Sequence, residues 1–222
     1  MNQIKNILIT NRWFLYPYVT LLSFSSVLLL MVKKNDIQYA INKLNNPLFD
    51  GIFKYATTLA EGLSIAAVII LTLCIRIRWT FVVVLALLYN TVIVFFIKNF
   101  VFKEVARPKV FFSQVPSWHT IEGVKLHANM SFPSGHTAAA FCMFFALAIT
   151  LRNKKLGFIF FILSFMVGYS RMYLSQHYLR DVVVGSVIGI TMAILAYITT
   201  QNTKQINHIS WLDKSLPQLL SK

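Results

Sequence analysis

The chain is short of charge. Asp, Glu, Lys and Arg make up 13% of its 222 residues, where a soluble domain carries about 25%. At 57% hydrophobic it has too few polar side chains to clothe a water-exposed surface, which excludes an ordinary soluble enzyme. Acidic residues are scarcest, 7 against 21 basic ones, for a formal net charge of +14. The basic residues are scattered over many short loops instead of forming one patch. That argues against nucleic acid as a partner and for anionic lipid headgroups. Cysteine is nearly absent. Cys74 and Cys142 both fall inside apolar runs, which rules out a disulfide framework or a cysteine metal site and leaves packing thiols. The first apolar run lacks an Ala-x-Ala cleavage pattern and is too long for a signal-peptide core, so it is expected to remain as a span. There is no internal repeat and no stretch of soluble-domain composition. Residues 1–222 therefore read as one membrane-embedded domain.

What the sequence does have is apolar runs. Residues 14–32, 56–75, 79–97, 134–151, 156–169 and 182–200 are each largely apolar. The first, with 19 residues, gives about 28 Å of helix at 1.5 Å per residue, enough to cross a bilayer. The expectation is an all-α bundle of six transmembrane helices. Glu61 interrupts the second run, and Asn90 is the strongly polar member of the third, expected to hydrogen-bond between helices. Residues 98–132 form a long loop rich in aromatic and basic side chains, including Phe111, Phe112 and Trp118, which are expected to seat it in the membrane interface. With both termini inside, the inner segments hold ten and the outer ones eleven of the 21 basic residues, which does not orient the protein. The two shortest loops, 76–78 and 152–155, are basic and would both be inside. That favours cytoplasmic termini.

One polar knot stands out: Ser131-Phe132-Pro133-Ser134-Gly135-His136-Thr137, at the mouth of the fourth run. Pro suits a helix start and Ser caps free N–H groups, while Gly lets a ligand approach the backbone. A helix N-terminus so built is an anion site, and the adjacent His can move a proton near neutral pH. Plain capping by Ser134 is the competing reading. Alternating spans bring four pieces to one face: the end of span three (Lys98), the start of span four (Ser134 to His136), the end of span five (Arg171) and the start of span six (His177, Asp181). With Arg107 these give three cations, two histidines, a capped helix start and a carboxylate, an inventory suited to a phosphate monoester or anhydride. His177 and Asp181 lie four apart, on one face if helical, as a His–Asp pair requires. For Arg171 the competing reading is a span-end cation facing lipid, and for Asp181 a helix cap. The inventory leaves open which histidine is the nucleophile.

Ser170-Arg171-x5-His177-x3-Asp181, downstream of Pro133-Ser134-Gly135-His136 and of a Lys…Arg107-Pro108 pair, resembles the type 2 phosphatidic acid phosphatase family, grouped with the vanadium haloperoxidases. Two of the family's three motifs match residue for residue. The first departs from Lys-x6-Arg-Pro, since eight residues separate Lys98 from Arg107; position 100 is Phe and Lys103 is too close. The resemblance covers residues 98–181.

What it implies is a metal-independent lipid phosphatase with no cofactor. His177 would be the nucleophile, Asp181 its orienting partner, and His136 the general acid and then base. Lys98, Arg107, Ser134, Gly135 and Arg171 would hold the phosphoryl oxygens. The implied setting is the outer face of a bacterial-type inner membrane, with a lipid phosphate reached sideways from the bilayer. The charge and the aromatic, basic loop lean towards lipid A, ahead of undecaprenyl pyrophosphate, phosphatidylglycerophosphate or phosphatidate. A phosphotransferase using the same histidine is the rival reading. A haloperoxidase is disfavoured, because those sites hold vanadate in soluble proteins. Glu61 stays open between a structural role and a substrate contact. His119, His127 and His208 match no motif.

Overall fold

The computed structural model of the protein describes residues 2–203 and 208–221. In chain order its helices begin with α1 (Asn2–Thr10), α2 (Arg12–Met31), α3 (Lys34–Asn42) and α4 (Pro47–Ala56). They continue with α5 (Gly62–Ile75), α6 (Ile77–Phe96), α7 (Pro108–Phe112) and α8 (Gly135–Leu151). The last are α9 (Lys154–Tyr173), α10 (Leu179–Asn202) and α11 (Leu216–Leu220). No strand occurs among the described residues.

Four of these, α2, α6 with its π-helical extension, α9 and α10, are long and apolar enough to cross a membrane. The expected second span differs from its sequence reading. It consists of α4, a 3-10 turn at Thr57–Ala60, and α5, with a 54° bend between the two halves. Counted as one span, the pair brings the total to five. The remaining apolar run, α8, has 17 residues. The break falls at Glu61, whose extended backbone (φ −103°, ψ 168°) separates the 3-10 turn from α5. This carboxylate therefore lies at the helix break of that bent pair.

Helix α8 differs from the others in its surroundings. It is the central helix, buried almost continuously from Thr137 to Thr150, so it meets neighbouring helices where the others meet lipid. Helices α6, α9 and α10 surround it. On one side Phe14 of α2 inserts its fully buried ring among Phe141, Phe145 and Phe161, with centroid separations of 6.3, 4.8 and 5.9 Å. On the other, α10 approaches through Gly185 and Gly189. A Cβ at Gly185 would lie 2.6 Å from the Ser134 carbonyl oxygen. One at Gly189 would collide with the Ala138 carbonyl oxygen and sit 2.8 Å from the Cys142 nitrogen. Small residues four apart let two helix backbones touch, the membrane form of close packing. This contact fixes the start of α10 against the start of α8.

The ends are set locally. Asn46 caps α4, accepting a hydrogen bond from Phe49 N at 3.0 Å ahead of Pro47, and Asn153 caps α9 through Leu156 N at 3.2 Å. Phe112 and Trp118 stack on each other at 3.8 Å, and Phe111 packs beside Tyr178 under the Lys34 ammonium, 4.7 Å from its ring centroid. Asn90 is buried at 3% exposure, but its Oδ1 has no hydrogen-bond partner, contrary to the expected interhelical bond. Cys142 is buried and Cys74 exposed, and neither forms a disulfide.

Candidate active site

Helix α8 starts where the sequence pattern placed it. Ser134 is its N-cap, with Oγ 3.5 Å from Thr137 N and 2.8 Å from Thr137 Oγ1. Pro133 precedes the cap instead of occupying the first turn, and its peptide bond with Phe132 is cis. Ser134 N donates to the Asp181 carbonyl at 2.9 Å, which ties the starts of α8 and α10 together. Capping and site formation, posed above as alternatives, coexist here.

His177 and Asp181 meet, but not as neighbours along one helix. Helix α9 ends with Leu174 N donating to Ser170 O, and Ser175 then takes a left-handed conformation (φ 55°). Gln176 N and His177 N both fold back to donate to Arg171 O, at 3.0 and 3.1 Å. The turn thus delivers His177 just before α10, while Asp181 occupies the first turn of that helix. The separation from His177 Nδ1 to Asp181 Oδ2 is 3.6 Å, too long for a hydrogen bond but short enough to close on substrate binding. Side-chain exposures are 2% and 0%. Asp181 Oδ2 also accepts from Tyr178 N at 3.0 Å and from Ser131 Oγ at 2.5 Å. The carboxylate therefore caps the helix while facing the imidazole. Burial, together with the guanidinium groups of Arg107 and Arg171, holds the His177 ring well below its usual pKa against the opposing pull of Asp181. A ring so depressed is uncharged near neutral pH, and its Nδ1 is turned towards the carboxylate.

Three cations close around this pair. Arg107, 9% exposed, donates Nε to Asn129 O at 2.9 Å and Nη2 to Met130 O at 3.3 Å. Its Nη1 reaches Gln176 Oε1 at 3.1 Å and Gln176 O at 3.2 Å. Burial lowers its pKa and Asp181 offsets part of that. Arg171, 7% exposed, donates Nη1 to Thr57 Oγ1 at 2.6 Å, and its Nε has no partner. An unpaired, buried guanidinium N–H is costly unless a ligand accepts it. Lys98 sits on the π-helical turn Ile97–Val101, and its Nζ donates to Met130 O at 2.7 Å, the same oxygen that Arg107 contacts. A Cβ on Gly135 would lie 3.8 Å from Lys98 Cε, so the lysine stem runs along the start of α8. The π turn and the loop separate Lys98 from Arg107 by eight residues. Lys103 is exposed.

The second histidine faces outward. His136, 36% exposed, lines a cavity of about 350 Å³ with Arg171, Glu61, Lys54, Lys125 and His127. Its Nε2 lies 3.5 Å from Glu61 Oε1. All eight residues singled out by pattern lie in one region, at the meeting of the α6 end, the α8 start, the α9 end and the α10 start. Sequence reasoning missed Ser131, Thr57 and Gln176, which hold Asp181, Arg171 and Arg107 respectively. Ser131 lay within the polar knot, but nothing in the pattern said that it reaches across fifty positions to Asp181. His119 is accounted for elsewhere, its Nε2 donating to Asp50 Oδ2 at 2.8 Å.

Residues 79–205 match the family model described as the PAP2 superfamily. The bacitracin transport permease protein BcrC of Bacillus licheniformis is 34% identical over 88 residues, 40% of this chain and 42% of that protein. The undecaprenyl-diphosphatase BcrC of Bacillus subtilis (strain 168) is 34% identical over 80 residues, 36% of this chain and 40% of that protein. The matched stretch thus spans about two fifths of each of these relatives. Among solved structures, Aquifex aeolicus LpxE superposes with a TM-score of 0.65 at 28% identity, over 73% of this chain and 93% of that one. The transmembrane PAP2-type phosphatidylglycerolphosphate phosphatase from Bacillus subtilis gives 0.59 over 85% and 96% at 19% identity, a likeness of fold. With these neighbours, the apolar helices described above are those of a multi-pass membrane protein.

Proposed function

The chain belongs to the PAP2 superfamily, and on that premise we propose that it is a metal-independent phosphatase of a lipid phosphate, working through a phosphohistidine. The observation that carries this reading is the uncharged, buried His177 beside Asp181, ringed by Lys98, Arg107 and Arg171 at the capped start of α8. His177 Nε2 attacks phosphorus, and Asp181 stabilises the positive charge that develops on the ring. The P–O bond to the lipid breaks, and its oxygen takes a proton from His136. Water then attacks phosphorus, gives its proton to His136, and the N–P bond breaks to restore His177. The three cations and the N–H groups at Gly135 and His136 hold the phosphoryl oxygens throughout. Coming from side chains and a helix start, that charge neutralisation asks for no metal.

The residues at the helix ends favour a substrate that keeps its acyl chains in the bilayer and offers its headgroup sideways. The outer face of a bacterial-type inner membrane is the proposed setting, with 1–222 as one functional domain and 98–181 as its motif-bearing core. Lys54 and Lys125 at the cavity mouth add to the three inner cations and lean the choice towards a highly anionic lipid such as lipid A. A second reading, undecaprenyl pyrophosphate, is favoured by the 34% identity to undecaprenyl-diphosphatase BcrC. The test is phosphate release by the purified, detergent-solubilised protein in EDTA, with lipid A, undecaprenyl pyrophosphate, phosphatidate and phosphatidylglycerophosphate side by side. Release from one lipid, lost in His177→Ala, is expected. Release that EDTA abolishes would overturn the mechanism, and phosphorylated acceptor in place of free phosphate would turn the reading to a phosphotransferase.

A further inference from the structure

Two histidine–carboxylate pairs stand in this site, and only one of them belongs to a motif. His177–Asp181 is buried, with a separation of 3.6 Å. His136–Glu61 is open, with a separation of 3.5 Å between Nε2 and Oε1. Glu61 comes from outside the region that carries the motifs, at the break between the 3-10 turn and α5. It takes the N-cap position of α5, yet its side chain makes no cap hydrogen bond and instead extends towards His136. A carboxylate released from capping and aimed into a phosphate site calls for a reason, because it repels the substrate.

We propose that Glu61 is the partner that keeps His136 protonated for its work as general acid. Cations surround the His136 ring: Lys54 on α4, Lys98 after α6, Arg171 on α9, and Arg107, Lys125 and the titratable His127 on the long loop. Nearby positive charges disfavour an imidazolium, and a carboxylate at ion-pair distance favours it. Asp181 serves His177, so Glu61 is the carboxylate placed at His136. With Nε2 turned to Glu61, Nδ1 is the nitrogen that delivers its proton to the oxygen leaving phosphorus. It takes one back from water as the N–P bond breaks. Glu61 itself exchanges no proton in the cycle; it is a positioning residue acting through His136. The inference rests on the phosphohistidine reading above.

The leaving group makes the idea testable. An alcohol departing from phosphatidate needs a proton, whereas the phenolate of p-nitrophenyl phosphate does not. General acid catalysis contributes about 10²–10⁴-fold, so Glu61→Gln is expected to lower kcat on phosphatidate by about ten- to a hundredfold. On p-nitrophenyl phosphate the loss should be at least about tenfold smaller, following the same dependence on leaving group. The alkaline limb of kcat on phosphatidate moves to lower pH in Glu61→Gln, and Glu61→Asp restores part of it. Because Glu61 is 47% exposed and makes no cap hydrogen bond, its Tm serves as a control for folding. Equal losses on both substrates, or a change confined to KM, would make Glu61 a counter-ion of Arg171 and overturn the proposal. Wild-type protein that hydrolyses neither substrate, or His177→Ala that hydrolyses both, would overturn the underlying reading as well.

Discussion

The contact between α8 and α10 is the part of the fold on which the site most depends, and Gly189→Ala perturbs it directly. A Cβ there would overlap the Ala138 carbonyl oxygen, lie 2.8 Å from Cys142 N and 3.0 Å from Phe141 Cβ. Two of these neighbours are backbone atoms of a buried helix and cannot turn aside. Helix α10 must therefore back away, by roughly 0.5–1 Å if ordinary carbon contacts of 3.5–4.0 Å are approached. Overpacking of this kind costs about 1–3 kcal/mol. For a chain of this size that lowers Tm by about 2–4 °C per kcal/mol. Asp181 lies two turns before Gly189, roughly 12 Å along the axis at 1.5 Å per residue, and moves with the helix. Since its carboxylate faces His177 and its carbonyl accepts from Ser134 N, on the proposed mechanism a shift approaching 1 Å is expected to lower kcat by up to about 10². The assay is Tm in detergent with kcat on the preferred lipid, beside Gly51→Ala, where a Cβ meets nothing within 4 Å. Gly51→Ala should match or slightly exceed the wild-type Tm, as Gly→Ala in a helix does. A Gly189→Ala protein with wild-type Tm and kcat would refute the close-contact account of the site.

Other outcomes follow from single contacts. Ser131→Ala removes the 2.5 Å hydrogen bond to Asp181; bonds to charged groups contribute about 1.5–3 kcal/mol, so kcat should fall by roughly ten- to a hundredfold with KM little changed, as measured in steady-state phosphate release. Lys98→Ala should abolish most phosphate release while Lys103→Ala retains it, which decides the first-motif lysine by activity. The depressed His177 pKa has a fixed sign. The unfolded ring takes up a proton below its ordinary pKa of about 6.5 while the folded ring does not, so stability is lost as pH falls through that range. A pH series of Tm should accordingly drop less steeply on the acid side for His177→Gln than for wild type. On the proposed mechanism the same depression keeps the attacking ring neutral, so the acid limb of kcat/KM should not be set by an ordinary His177 titration.

The site was largely legible in the sequence because its chemistry is concentrated in residue types that spans seldom tolerate. Arg171, His177 and Asp181 at the ends of apolar runs announce themselves, and alternation of spans brings them to one face. Lys98 is harder, since its spacing to Arg107 is two residues longer than the family pattern, and the π turn on which it sits has no clear mark in Ile97-Lys98-Asn99-Phe100-Val101. The His177–Asp181 pair was read as two residues on one helix face, whereas a left-handed Ser175 and a cap make the meeting. Glu61 looked like an interruption within a span, because a 54° bend between two apolar helices leaves the composition unchanged. Ser131, Thr57 and Gln176 are ordinary polar residues whose partners lie far away in sequence, and Gly185 and Gly189 acquire meaning only from the backbone they touch. Pairwise tertiary contacts of this sort have no periodicity to read.

The most direct test of the central claim is to find the phosphoryl group on the enzyme. Protein in EDTA would be mixed with ³²P-labelled lipid substrate, quenched within a turnover and digested, with His136→Ala alongside to slow hydrolysis of the intermediate. The expected result is an acid-labile, alkali-stable label on His177, enriched in His136→Ala and absent from His177→Ala. Phosphate released with no label on His177, or a label carried by another residue, would contradict the mechanism.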